Sequence, residues 1–277
     1  MLSSIAENQQ LIIVPMFFAF SVLEVLAPVR ELTLSIIWRW FTNFSLYALN
    51  TAGSIGLHLL PGLWAANWTA GNQFGLFSVI EAPFWIIAIT GLLVLDVCHY
   101  LIHRAMHKFS WLWRIHMVHH TDIEVDISTS FRFHPGEAML SLAAYLLVIL
   151  LLGLPEESAF VFWVLLNFSN LLSHANVFVP EALDRWLQHG IITASTHRLH
   201  HSVGRMESNK NFGSIFIFWD KLFGTYLDGS GEAQRNLIFG LPEHRGATVL
   251  YLPRLLLMPF VAKPANTPKQ DPQQAHL

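Results

Sequence analysis

Eight of the 15 histidines of this chain sit in three short clusters, and nothing else in the sequence restricts its possible folds so strongly. The clusters are His103-Arg-Ala-Met-His107, His116-Met-Val-His119-His120 and His197-Arg-Leu-His200-His201. Side chains at i, i+3 and i+4 share one face of a helix, so each cluster aims two or three imidazoles the same way. Crowding so many imidazoles costs repulsion when they are protonated and desolvation when they are buried, unless metal ions take their lone pairs. The fold must therefore bring segments distant in sequence onto one dimetal centre. A shell of imidazoles without thiolate suits iron, copper or zinc, whereas calcium and magnesium want oxygen ligands. Two ions, at four or five ligands each, would use this many histidines. His174, in Leu-Leu-Ser-His174-Ala-Asn, is the best ninth candidate because it enters the same layer.

Five apolar stretches run around the clusters: Leu11–Pro28, Ser35–Leu60, Ala82–His103, Ala138–Leu154 and Ser158–Val179. Each is near the length that a hydrocarbon core of about 30 Å requires. With 53% hydrophobic and 13% charged residues, the chain is too apolar for an ordinary soluble domain. The expected fold is all-α: a polytopic membrane bundle of four or five transmembrane or hairpin helices, with a cytosolic helical cap that holds the dimetal site. Pro61-Gly62 and Gly153-Leu-Pro155 punctuate the bundle. Apart from Arg30 and Arg39, every Lys and Arg falls between Arg104 and Arg132 or from Arg185 onward. Since basic residues mark the cytoplasmic side, the histidine region is expected inside, the Arg30 loop inside, and the N-terminus and the Trp64–Phe77 loop outside. The first stretch lacks a basic leader and is expected to stay as an anchor.

One integral membrane domain is expected over residues 1–262, with the histidine region at 96–228. Glu181–Gly246 would form the cap. Thr248–Ala262, interrupted by Pro253, Arg254 and Pro259, would lie at the interface without spanning it. The tail 263–277, rich in Pro and Gln, is expected to be disordered. The expected location is a bacterial inner membrane, with the active site on the cytoplasmic side.

A net charge of −3 and the lack of any Lys/Arg run speak against a nucleic-acid partner. The single cysteine, Cys98, excludes an intramolecular disulfide and thiolate-rich metal sites. A metal-bound histidine usually donates its other N–H to a carboxylate or carbonyl, and Asp96, Asp122, Asp126, Glu137 and Asp220 are the candidate acids. Asp96 stands out because a carboxylate inside a spanning helix is costly, while Glu124 reads as a solvated loop residue. His99 is either a ligand or a partner of one, His134 supports the site from the membrane edge, and His189 is a surface residue. Isolated His58 and His276 carry no signal. The aromatic stretches Phe160–Phe168 and Trp111–Trp113 either line a lipid path or anchor the chain at the interface. No Gly-x-Gly-x-x-Gly loop follows a strand, so no reductase is built in. Electrons would come from an external donor, such as a ferredoxin, rubredoxin or cytochrome b-type protein, docked near Arg198, Arg205 and Lys210.

The run Asp96-Val-Cys-His-Tyr-Leu-Ile-His103-Arg-Ala-Met-His107, then the second and third clusters, resembles the fatty acid hydroxylase/sterol desaturase superfamily. Asn211-Phe-Gly213 and Trp219-Asp-Lys-Leu-Phe-Gly-Thr225 look like that family's ending. The last cluster and its ending are similar to alkylglycerol-monooxygenase-like members, and His134-Pro-Gly-Glu137 to the sterol-oxidising branch. The resemblance implies a membrane enzyme with two irons, zinc being able to occupy the same site in preparations. It implies dioxygen as co-substrate and a bilayer lipid that is hydroxylated, desaturated or cleaved at an ether. His103, His107, His116, His119, His120, His197, His200 and His201 would be the ligands, with His174 as the isolated histidine before the last box. Two other readings accept the same imidazoles. A zinc-dependent lipid hydrolase would need a nearby base, and no His-Glu-x-x-His is present. A metal transporter would spread its sites across the bilayer.

Overall fold

The computed structural model describes residues 10–56 and 63–261. Helix α1 is Gln10–Leu26, α2 is Ile36–Gly56 and α3 is Leu63–Asn72. The long α4, Phe84–Lys108, runs almost directly into α5, Ser110–His120, because Phe109 adopts an extended conformation between them. A 3₁₀ turn at Ile127–Phe131 leads to α6, Pro135–Leu152, and α7, Glu156–His174. The longer of the remaining helices are α8, Glu181–Leu187, α9, Ala194–His200, and α10, Leu252–Val261. No strand forms among the described residues, only isolated bridges such as Ile191 with Phe216.

Of the five stretches expected to cross a membrane, α4 and α6 are long and apolar enough to do so. At 1.5 Å per residue, α4 is about 37 Å long and α6 about 27 Å. Helix α1 is apolar but has only 17 residues. The others carry charged residues: Arg39 in α2 is fully buried, and α7 opens on Glu156 and Glu157. The outward faces of α1, α4 and α6 expose Leu11, Phe18, Trp85, Ile89, Leu147 and Leu151, a surface that water disfavours and hydrocarbon suits. The Trp64–Phe77 stretch, expected as a loop, is mostly α3, and its alanines find an apolar surface: Ala65 and Ala66 are buried with Leu95, Ile149, Leu154 and Phe162. Residues 57–62 and the tail from 262 lie outside the described residues, so the end of the second stretch, Pro61-Gly62, His58, His276 and the disordered-tail expectation do too.

Packing between α4, α6 and α7 sets the scaffold of the site. Leu95 and Leu154 are fully buried there, each contributing about 2 kcal/mol over an exposed position. The link into α6 is pinned by His134, whose Nδ1 accepts the Gly136 N–H at 3.0 Å, with Pro135 at the first helical position. Helix α6 ends at Gly153, which takes a left-handed φ of 66°. A side chain at Gly75 would meet the Gly153 backbone nitrogen at 2.3 Å, so two backbones touch where only glycine fits. Helix α10, expected at the interface, is too short to span; it buries Leu255 and Met258 against Met117 and Val118 of α5 and Leu46 of α2.

Two buried arginines staple the segment after the second histidine cluster. Arg39 of α2 donates from Nη1 to Asp126 Oδ2 at 2.6 Å and pairs through Nη2 with Asp122 Oδ2 at 3.3 Å. Burial pushes the Asp122 carboxyl up, but Arg39 and Arg132 outweigh it and hold it below the usual carboxylate range. Arg132 donates to the Val118 carbonyl at 3.0 Å, to Asn43 Oδ1 at 2.9 Å, to Thr121 Oγ1 at 2.8 Å and to the Val249 carbonyl at 2.7 Å. Removing one partner of such buried ions leaves a charge without compensation, at about 3–5 kcal/mol.

Candidate metal centre

Four helices deliver the histidines. His103 and His107 lie one turn apart on α4, His116, His119 and His120 on α5, His174 at the last position of α7, and His197, His200 and His201 on α9 and its C-cap. The short α9 is held at its start by a capping box, in which the Thr193 N–H donates to Thr196 Oγ1 at 3.1 Å. Asn211, at a left-handed φ of 56°, clasps it further, donating from Nδ2 to the Thr196 and Leu227 carbonyls at 2.9 Å each.

All nine sequence-predicted histidines meet, in two groups. His103, His107, His116, His120 and His200 form one, and His119, His174, His197 and His201 the other, with the ring nitrogens of each group within 4.8 Å of one another. Eight of the nine are buried and His107 is half-buried. Nε2–Nε2 separations are 3.1 Å for His107–His120 and His116–His120, 3.2 Å for His119–His174 and 3.1 Å for His174–His197.

The tautomers decide what these separations mean. His103 Nδ1 faces the Phe212 carbonyl at 2.9 Å, His200 Nδ1 the Lys210 carbonyl at 2.8 Å, His174 Nδ1 the Asn170 carbonyl at 2.8 Å and His119 Nδ1 the Arg132 carbonyl at 3.3 Å. A carbonyl only accepts, so each Nδ1 carries the proton and donates it, and each Nε2 turns a lone pair into the group. His119 and His174 therefore point lone pairs at each other across 3.2 Å, which is no hydrogen bond. Two nitrogens bound at right angles about 2.1 Å from one ion stand about 3.0 Å apart, so the spacing fits ligands sharing a metal. His103 Nε2 and His200 Nε2 are buried without any partner, as free donors to an ion would be. Burial, then the neighbouring imidazoles, push His116, His120, His197 and His201 well below the ordinary histidine range, which keeps them neutral and ready to ligate. The donor set is all nitrogen and fits iron or zinc.

Of the five acids expected beside the ligands, Glu137 alone reaches one: His116 Nδ1 donates to its Oε1 at 2.6 Å. Asp122 and Asp126 are taken by Arg39. Asp96 accepts the backbone N–H groups of Ile215 and Phe216 at 3.1 and 3.2 Å and the Trp219 indole at 2.9 Å. Asp220 accepts the N–H groups of Phe212 and Gly213 at 2.8 Å each and the Thr225 hydroxyl at 2.7 Å. Those two acids thus hold the loop whose Phe212 carbonyl receives His103, and act on the site through backbone. Glu124, expected in solvent, is buried and accepts the Leu34 N–H at 3.0 Å, because the Arg39 staple pulls its loop inward. His99 lies outside both groups, and its Nδ1 pairs with the Tyr145 hydroxyl. His134 is spent on capping α6 and on the Leu256 carbonyl at 3.2 Å. His189 is at the surface, bonded to the Arg185 carbonyl. Arg198, expected on a docking face, is 3% exposed and bound to Gln234 and the Ala175 carbonyl; burial pushes its guanidinium down to about 10. Arg205 remains exposed, and Lys210 ties its ammonium to the Gly224 carbonyl.

A cavity of about 150 Å³ adjoins both groups, enclosed by α4, α6 and α7. His103, His116, His119, His174 and His197 form its floor, and Ile102, Met106, Phe133 and Leu166 its apolar walls. Of the Phe160–Phe168 stretch, Leu166 alone enters it, while Trp113 packs on His107 and His120 with ring centroids 5.0 and 5.3 Å apart. Trp111 is exposed.

The fatty acid hydroxylase model matches residues 88–225, which hold all nine histidines and their loop scaffold. The chain is 30% identical over 145 residues to an ornithine lipid hydroxylase of Rhizobium tropici, covering 52% of this chain and 43% of that protein. It is 29% identical over 191 residues to alkylglycerol monooxygenase of Danio rerio, covering 67% and 40%. A Delta(7)-sterol 5(6)-desaturase of Leptosphaeria maculans is 29% identical over 157 residues, covering 56% and 39%. The chain thus spans less than half the length of these relatives. No solved structure is significantly similar to it. With histidine clusters, Asn211-Phe-Gly213 loop and Asp220 ending all inside the matched region, the chain belongs to the fatty acid hydroxylase family.

Proposed function

We propose that this chain is an integral membrane oxygenase that hydroxylates or desaturates a lipid, using dioxygen, two irons and electrons from an external carrier. The observation that carries the reading is the facing pair of buried lone pairs on His119 and His174, which a cation alone makes favourable. Both histidine groups sit at one end of α4, which supports an enzyme over a transport path with sites spread along it. His103, His107, His116, His120 and His200 would hold one ion, and His119, His174, His197 and His201 the other. Bound iron would supply the reducing equivalents that let dioxygen oxidise an unactivated C–H bond. In hydroxylation one oxygen atom enters that bond and the other leaves as water, with two electrons from the carrier and two protons.

The chain's own contribution is geometry and dryness. Phe212, Lys210, Arg132 and Asn170 carbonyls orient four imidazoles, and the Glu137 carboxylate a fifth. Ile102, Met106, Phe133 and Leu166 keep the floor of the cavity shielded from water and give an acyl or sterol body a surface to pack on. The relatives' printed names, covering an ornithine lipid, an alkylglycerol and a sterol, support a lipid as substrate. The skew of Lys and Arg toward the histidine end of α4 supports a cytoplasmic site, as in a bacterial inner membrane, capped by residues 181–246. Of the three basic residues expected on a docking face, exposed Arg205 is free to meet a ferredoxin, rubredoxin or cytochrome b-type donor.

Metal analysis with Mössbauer spectroscopy on anaerobically purified, iron-57-enriched protein tests this. Two coupled irons per chain that oxidise on addition of dioxygen are expected. Zinc that persists after expression in iron-rich medium, with no oxygen chemistry, would turn the assignment to a hydrolase.

A further inference from the structure

Helix α6 is apolar from Ala138 to Leu152 except at Ser141 and Tyr145, and these continue the line begun by Glu137 at four-residue spacing. Residues at i, i+4 and i+8 share one face. All three line the cavity beside the metal ligands, and His99 of α4 faces them from the other wall. A polar stripe of about 12 Å thus climbs from the metal level along a helix that otherwise faces hydrocarbon.

The stripe has hydrogen-bonding capacity to spare. Glu137 gives Oε1 to His116, while its Oε2 is buried without a partner; the residue is 5% exposed. Ser141 makes no hydrogen bond, although Ser21, Ser45 and Ser54 in the other helices all donate to the carbonyl four residues back. The Tyr145 hydroxyl pairs with His99 Nδ1 and keeps a further site on its oxygen. Polar groups left unpaired beside apolar walls are unfavourable until a ligand completes them. Oε2 therefore has room for one more hydrogen-bond partner, and Ser141 and Tyr145 can each take or give one.

We propose that this stripe is a recognition subsite for a hydroxyl group of the lipid, holding it against Glu137, Ser141 and Tyr145 while the chain lies on Ile102, Met106 and Leu166. The subsite selects substrates that carry a hydroxyl near the carbon to be oxidised over unfunctionalised chains of equal length. It rests on the oxygenase reading for the word substrate, but the binding preference itself does not depend on redox chemistry.

The test therefore uses the full chain in lipid nanodiscs, loaded with redox-inert zinc, and measures displacement of a fluorescent fatty-chain probe by 1,2-dodecanediol and by dodecane. The diol is expected to bind at least about tenfold tighter than the alkane, the worth of one or two hydrogen bonds to a charged or buried group. Ser141→Ala with Tyr145→Phe removes two hydroxyls and almost no volume. That variant should keep its zinc content and alkane affinity while the diol preference falls to about threefold or less. Each single variant, expected to lose part of the preference, covers the case in which the double variant does not fold. Equal binding of diol and alkane to the unaltered protein, or an undiminished preference in the variants, would overturn the subsite, since a stripe that orders only water predicts one or the other. If the Mössbauer experiment failed while the diol preference held, the subsite would stand and the oxygenase assignment would fall.

Discussion

The two histidine groups, adjacent and chemically alike, are held in different ways. In the five-membered group, His103, His116 and His200 each give their Nδ1 proton to a fixed acceptor, one of them the carboxylate of Glu137. In the four-membered group, His174 and His119 have carbonyl acceptors, the second at 3.3 Å, but the Nδ1 atoms of His197 and His201 are buried with none. An acceptor fixes tautomer and ring angle and raises ligand basicity. The five-membered group is thus the better-prepared site, with more candidate ligands and a carboxyl partner for His116, and the four-membered group the one with less in reserve. Unequal affinity is the expected consequence, with the first equivalent of metal predicted to go to the larger group.

The largest effect that tests this contrast comes from removing ligands. His174→Ala should reduce bound metal from two ions per chain to one, whereas His107→Ala, which leaves four imidazoles, should keep both. A ligand's share of a four-ligand binding energy is about 3 kcal/mol, a little over a hundredfold in affinity. Metal counts after dialysis against a weak chelator read it out, and equal losses in both variants would erase the proposed asymmetry. Next in size, Glu137→Gln keeps a hydrogen-bond acceptor for His116 but removes the carboxyl group. Affinity at the five-membered group should fall about tenfold, with the other group unaffected, as competitive chelator titration would reveal. A drop at both sites would show that the groups do not act separately.

The smallest effect is that of pH. Burial pushes His197 and His201 below their unfolded range, so the unfolded chain takes up their protons first. Their contribution to stability is complete above about pH 6.5 and is lost as pH falls below it, because acid favours the protonated, unfolded form. Thermal melts of metal-free protein should therefore drop on acidification below about pH 6.5, and metal should leave the four-membered group at a higher pH than the five-membered one. A melting temperature flat from neutral to mildly acid pH would contradict the neutral, buried assignment.

The candidate ligands were legible in sequence because helical spacing is local: His103 with His107, and His116 with His119 and His120, share faces whatever the rest of the chain does. Glu137 was visible as one of five acids, but its selection was not, since it depends on α6 passing α5. The four backbone acceptors left no trace, because every residue has a carbonyl and the loop path alone decides which one faces an imidazole. Asp96 stood out as costly and Asp220 was one of the five candidate acids, yet both tether backbone N–H groups, a use that composition does not distinguish from ligand support. Arg39 was set aside as an exception to the pattern of basic residues, and its burial between Asp122 and Asp126 could not be foreseen from residues so far apart in the chain. The same staple explains why Glu124 is not in solvent. Length and hydropathy located all five apolar helices but did not separate α4 and α6 from those that end in polar anchors. His99 was placed on the correct helix face, and Tyr145, its partner on α6, carried no signal of its own.

The near-continuous passage of α4 into α5 has a consequence for how the protein is made. Residues 103–120 already hold four of the five histidines of the larger group, on neighbouring helices joined through a single extended residue. Contacts so close in sequence close their loops cheaply and form early. During synthesis this hairpin can assemble as soon as it leaves the ribosome, long before His197, His200 and His201 exist. The smaller group has to wait for α7 and α9 to dock, so the order in which the two halves mature is written into the order of the chain.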